Sequence, residues 1–314
     1  MGVLLPLKQR AGALAESIRL SLTGATLSLF EHAPYPLEDT LSHAGDPGLL
    51  GPGAVSWRVL ADPAAFVGGL RALLIQAAHP EVVAGVGDHS RYRDDPLGRL
   101  SRTSAYVTAT TFGAMPEVEA AVDQVRRIHG RVRGTSSRGV PYDAGDPWFS
   151  AWVHNALTDS FLAANQAYGG QRLSPVEADR FVAEQTAVGA LLGADPMPNT
   201  AFTLSDWVAD HPEAGASPQM EDVVDFLTNP PLPTAIKVGY AVLLEAAVAV
   251  LPHRLADVLG LSPKPGAELV GRAGVVSLRW ALGYSPSWAL ALHRTGAPLP
   301  DGLFRRLPQD LAAS

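Results

Sequence analysis

Residues 118–133 read VEAAVDQVRRIHGRVR, and the spacing of their apolar side chains predicts a helix. Val118, Val122 and Val125 stand eleven, seven and four residues before His129, and Val132 stands three after it. At 3.6 residues per turn those offsets put the imidazole of His129 on the apolar stripe. Arg126 and Arg133, three before and four after, flank it on the same side. An imidazole aimed inward between two cations suits a metal cofactor that carries acid groups. The same pattern also describes an ordinary hydrogen-bonded core histidine.

Outward from that helix the chain continues in the same style. Of its 314 residues, 47% are hydrophobic and 18% charged, with a net charge of −7. That is ample material for a large apolar core. The acidic balance argues against a nucleic-acid partner, which needs a basic face. The absence of cysteine excludes disulfides, zinc fingers, iron–sulfur clusters, thiolate-ligated haem and cysteine nucleophiles. A metal here is held by His, Asp, Glu, Tyr or Met. The four or five apolar residues before and after Pro6 are too few for a signal peptide. The longest apolar run, 238–251, is only fourteen residues and contains Glu245, so no transmembrane segment is expected and the protein reads as cytoplasmic.

Helix-start signals recur along the chain. Asp62-Pro63, Asp95-Pro96 and Asp146-Pro147 each combine an N-cap with proline at the first helical position. Ser174 and Glu177 form a capping box, and Ser205 and Ser217 open further helices. The expected helices span about 7–23, 62–78, 80–89, 96–112, 118–133, 147–168, 174–192, 205 onward, 217–229, 233–250, 252–260, 265–282, 286–293 and 301–311. Residues 31–53 and 134–147 read as loops. Strand signals are nearly absent. The expectation is one all-α domain over 1–314, with Gly68, Gly69, Gly85 and Gly87 as helix-packing glycines.

There is no P-loop, dinucleotide glycine fingerprint, nucleophile elbow or HExxH. The histidines carry the information. His79, His129 and His154 sit among apolar neighbours. His32, His43, His89, His211, His253 and His293 fall in loops or at helix ends and read as surface or capping residues. Arg99, Arg102 and Thr103 share one helix face. They either anchor an anion or an iron-bound oxygen ligand, or form a solvated basic face paired with Asp88, Asp94 or Asp95.

Four pieces, QAAHP (76–80), RLSRT (99–103), VRRIH (125–129) and WVH (152–154), occur in this order. Together they resemble the oxygenase family of latex clearing protein (rubber oxygenase) and the fungal oxygenase MpaB. The resemblance is close over about 55–165 and extends into the C-terminal half only through helical character. It implies an all-α, globin-related core binding one haem b, with His129 as the axial iron ligand and Arg99 and Thr103 beside the haem. Arg102 departs from the rubber oxygenases, which carry a lysine there that can itself ligate iron. Arginine stays protonated and has no lone pair to offer. Their proposed glutamate base has no secure counterpart, only Glu81 and His79 nearby.

The resulting expectation is a haem b-dependent oxygenase using dioxygen on a small hydrophobic, unsaturated metabolite. His79, Arg99, Arg102 and Thr103 would be catalytic, His79 as the distal acid/base because only histidine titrates near neutrality unaided. Arg126, Arg133 and His154 would join His129 around the cofactor, and a homodimer is an open possibility. The alternative is a non-catalytic haem-binding or lipophile-binding helical protein.

Overall fold

Fourteen α-helices, one 3-10 turn (Thr40–His43) and one small hairpin make up the described part of the computed structural model, which covers residues 7–305, 307, 308 and 311. The helices are α1 Leu7–Leu27, α2 Val55–Ala61, α3 Ala64–Ala77, α4 Pro80–His89, α5 Pro96–Phe112, α6 Met115–His129, α7 Pro147–Tyr168, α8 Pro175–Ala190, α9 Ala201–Ala209, α10 Pro218–Thr228, α11 Thr234–Ala249, α12 His253–Val258, α13 Ala267–Leu282 and α14 Pro286–Arg294. The all-α expectation holds. The expected tail helix over 301–311 lies partly outside the described residues. Its described part holds an isolated bridge between Gly283 and Phe304.

The caps explain most of the boundaries. Asp95 accepts from the Gly98 N–H at 3.0 Å and Asp146 from Trp148 at 2.8 Å. Ser174 and Glu177 close a reciprocal capping box. Each such cap is worth about 1 kcal/mol. Three starts differ from expectation: α6 begins at Met115, not Val118, with the Glu117 carboxylate accepting from the Ala114 N–H at 2.8 Å. α9 begins at Ala201, because the Thr200 hydroxyl accepts from the Thr203 N–H at 3.2 Å; Ser205 lies inside the helix. A separate short helix, α2, precedes α3 and meets it at 89°. Asp62 at that corner accepts from the Ala64 N–H (2.8 Å) and the Gly170 N–H (3.0 Å), and takes both arms of Arg279. One buried carboxylate thus ties the start of α3, the end of α7 and helix α13 together.

The central contact is α3 against α7, with α11 on the other side of α3 and α13 beyond it. Gly68 permits the close crossing: a Cβ there would lie 2.6 Å from the Phe161 ring. Gly85 plays a milder version of this part against Tyr142 at 3.3 Å, whereas Gly69 and Gly87 face open space or a loose contact. Arg71 of α3 is buried between α7 and α11. It pairs with Asp159 at 2.7 Å and donates to the Ser160 hydroxyl and the Val250 carbonyl, both at 2.9 Å. No single described helix is long and apolar enough to cross a membrane.

Helix α6 stops at His129, short of the expected Arg133, and residues expected as helix end and loop form an antiparallel hairpin, β1 Arg133–Thr135 with β2 Pro141–Asp143, in register Arg133 with Asp143. It escaped the sequence reading because three residues are too few to alternate. What makes it is a turn closed by Ser136 N–H to Val140 C=O (2.8 Å), with Gly139 at φ +77°, and the Arg133–Asp143 ion pair at its base. This hairpin connects the end of α6 to α7 and reaches across to α4.

Candidate active site

His79 sits in the turn between α3 and α4, immediately before Pro80, and its side chain is fully buried. Its Nε2 lies 3.0 Å from Glu213 Oε2, contributed by the loop between α9 and α10. Its Nδ1 lies 3.4 Å from Glu81 Oε2 and makes no hydrogen bond. Glu81 is itself buried. Its Oε1 accepts from the Ser136 hydroxyl (2.7 Å) and Arg138 Nε (3.1 Å), and its Oε2 accepts from the other arm of Arg138. Both partners come from the hairpin turn. Trp148 Nε1 donates to Glu213 Oε2 at 3.3 Å.

Aromatic rings wall this cluster. Phe149 stands edge-on to His79, and Trp152 lies 5.7 Å from it. His211 is 5.5 Å from His79 and only 4.5 and 4.6 Å from Trp152 and Trp207. The expectation that His211 is a surface residue is therefore wrong. Being polar and at a helix end, it reads as exposed, yet the fold encloses it among three tryptophans, and its Nδ1 accepts from the Glu213 N–H at 3.3 Å. Burial, then the neighbouring His79 and Arg254, push it down to about 4. Burial also pulls His79 below its ordinary value, against the opposing pull of Glu213 and Glu81. For Glu81, burial works to raise the carboxyl, but the hydrogen bonds from Arg138 and Ser136 hold it below the usual range.

The other sequence-derived residues gather around α5 and α6. Arg99 is half-buried, lies over the Tyr92 ring at 5.9 Å, and makes neither an ion pair nor a side-chain hydrogen bond. Burial depresses even its guanidinium, and Arg102 adds to that. One turn on, Thr103 is exposed with no side-chain partner, and one further turn on, the Tyr106 hydroxyl is buried without one. Burial pushes Tyr106 up to about 12, partly offset by Arg126 across on α6. Residues 99, 103 and 106 follow the offsets of one helix face. Tyr106 was legible from that spacing and was overlooked.

His129 ends α6 and is half-buried. Its stripe is less enclosed than predicted, since only Val118 and Val122 on this helix are buried and Ile128 is largely exposed. Burial lowers its pKa, while a hydrogen bond with the backbone of Ala144 opposes the shift and orients the ring. Arg126 is exposed, donating to the Leu191 carbonyl at 2.6 Å, and Arg133 is exposed and paired with Asp143 at 2.7 Å. Arg102 is exposed and paired with Asp95 at 3.1 Å, which is the solvated-face alternative. His154 is buried, bonded from Nε2 to the Gln185 carbonyl of α8 at 2.7 Å and pushed down to about 4 by burial.

His79 and His129 thus belong to opposite ends of the hairpin. Among the described residues no hydrogen bond, ion pair or ring contact joins His79 to His129, Arg99, Arg102 or Thr103. The cluster's missing members, Glu213, His211, Trp148 and Trp207, had no local sequence signal, because each reaches the site only through packing.

An all-α protein that buries a histidine between two carboxylates, and presents unpartnered donors on a second face, is equipped for metal-dependent chemistry. The chain belongs to the family described as "ER-bound oxygenase mpaB/B′/Rubber oxygenase, catalytic domain", whose model matches residues 57–280. The match extends well beyond the motif-bearing stretch, into α13. It makes the protein an oxidoreductase of the oxygenase kind. No curated protein and no solved structure matches it significantly.

Proposed function

We propose that the protein is a haem b-dependent oxygenase acting on a small hydrophobic, unsaturated metabolite, with the cofactor held between α5 and α6. The observation that carries this reading is the row Arg99, Thr103 and Tyr106: three polar side chains on one helix face, none with a hydrogen-bond or ion-pair partner among the described residues, Arg99 resting only on the Tyr92 ring. Leaving the buried Tyr106 hydroxyl unpaired costs about 1–3 kcal/mol, a penalty the exposed Thr103 does not carry. A half-buried guanidinium without a carboxylate is suited to an anionic or oxygen-bearing occupant.

The donor set fits an iron porphyrin. His129 would supply an imidazole to the iron: burial lowers its pKa, so a neutral lone pair is available. Bound there, the group would supply the oxygen-activating chemistry. The chain's own part is to hold and shield it. Arg99 offers a permanent cation to a carboxylate or a bound oxygen species, and Thr103 and Tyr106 offer hydroxyl donors. Arg126 and Arg133, exposed at the surface, would pair with propionates only after leaving Leu191 and Asp143. Arg102 is tied to Asp95 and His154 to Gln185, so neither has a free role in this reading.

An absorption spectrum after haem supplementation tests it. The expected result is a Soret band whose ferrous form shifts on exposure to carbon monoxide, showing an open coordination position. No Soret band overturns the reading. A ferrous form that refuses carbon monoxide supports a non-catalytic haem binder instead.

A further inference from the structure

We infer that His79 and Glu213 form a second, independent metal centre for a divalent first-row ion, with Glu81 as the positioning residue behind the histidine. The argument begins with proton counting. A neutral imidazole has one N–H and one lone pair, and an ionised carboxylate only accepts. His79 has a carboxylate oxygen 3.0 Å from one ring nitrogen and 3.4 Å from the other. Whichever tautomer is present, one lone pair faces a carboxylate oxygen. A metal ion at one nitrogen relieves that contact, as would a proton on the ring or on Glu213. Phe149, Trp152 and His211 pack against the His79 ring, which is fully buried, and burial disfavours the imidazolium.

The arrangement also says which nitrogen the ion takes. Glu81 is buried and fixed by three hydrogen bonds from Ser136 and Arg138, so it is a rigid acceptor for an Nδ1–H. Glu213 has 44% of its side chain exposed, so it opens to solvent and can turn both oxygens to an ion. Nε2 and Glu213 therefore ligate, water completes the shell, and Glu81 holds the ring. That is the carboxylate–histidine–metal order, in which the outer carboxylate fixes the tautomer and raises ligand basicity. Donor atoms of all three residues lie within 4.8 Å of one another, and His79 Nδ1 is a fully buried, unpartnered polar atom within the group. Imidazole with carboxylate and water suits Mn2+, Fe2+ or Zn2+.

The test uses the full-length protein stripped with a chelator and titrated with Mn2+, reading free ion by its electron paramagnetic resonance signal. One equivalent is expected to bind, Zn2+ is expected to displace it, and Glu213→Gln is expected to weaken binding by at least about tenfold. Glu213 is half outside, so that variant keeps the fold, checked by circular dichroism. Glu81→Gln should keep the stoichiometry but weaken binding, because the ring loses the charged acceptor that fixes its tautomer and raises its basicity. His129→Ala, which removes the proposed haem ligand, should bind Mn2+ as the parent does; the haem reading can fail by its Soret band while this one stands. No bound Mn2+ in the parent, or equal binding by a folded Glu213→Gln variant, overturns the inference.

Discussion

The His79 cluster and the α5–α6 face are opposite solutions to placing polar groups near a core. Around His79 nearly every donor and acceptor is spoken for, by side chains from four separate parts of the chain, and aromatic rings close it off. On α5, Arg99, Thr103 and Tyr106 share one face and have no hydrogen-bond or ion-pair partner among the described residues. The first region is finished by the fold apart from one positive charge. The second is left incomplete, as a binding face is before its occupant arrives. A candidate site is thus better marked by partnerless polar groups than by the number of charged residues, since exposed and well-paired Arg102, Arg126 and Arg133 are equally charged.

The largest effect that could break this contrast is at His129. His129→Ala should lose essentially all haem retention while its far-ultraviolet circular dichroism stays near the parent's, because one half-exposed ring is removed. His79→Gln should keep the Soret band. The reverse outcome, a colourless His79→Gln and a haem-replete His129→Ala, would exchange the roles of the two regions.

Next comes acid. His154 is held neutral, at about 4 against an ordinary 6.5. Below pH 6.5 the unfolded chain takes up a proton that the native ring refuses. Stability is therefore lost as pH falls from 6.5 toward 4, by about 3 kcal/mol for this residue in full. Urea midpoints at pH 7 and pH 5 should diverge for the parent and diverge less for His154→Gln, with His211 and His79 supplying the remaining dependence. Parallel pH dependences would mean that His154 is not the buried base described here.

A smaller effect belongs to Glu81→Gln, which leaves Arg138 and His79 short of a buried charge partner and should cost about 1–3 kcal/mol. Thermal melting should register this as roughly 2–4 °C per kcal/mol. Smallest is Arg133→Ala. Its exposed pair with Asp143 should be worth less than about 1 kcal/mol, and haem content should be unchanged. A large loss of haem in that variant would show that the arginine leaves Asp143 for the cofactor.

Much of the fold was legible in the sequence because it is made of local interactions. Asp-Pro and Ser-Pro starts cap the helix that follows within three residues, so α5, α7, α8 and α10 begin where the text of the chain says. The exceptions are instructive. Ser205 has the right chemistry, but Thr200 caps first, and the hairpin at 133–143 depends on contacts with α4 that no local pattern announces. Arg99, Thr103 and His129 were legible as motif positions, whereas Tyr106 was only a helix offset away.

By itself the sequence determined the all-α class, the helix starts, the family and the residue types available for ligation, since propensity, capping and periodicity act over a turn or two. Only the tertiary structure decided which charges are paired and which histidines are enclosed. Glu213 meets His79 across 134 residues, and His211 is enclosed by rings from α7 and α9. Such meetings are set by how whole helices pack. The free energy of each polar group then depends on what surrounds it, so identical residue types became a sealed cluster in one place and an open face in the other.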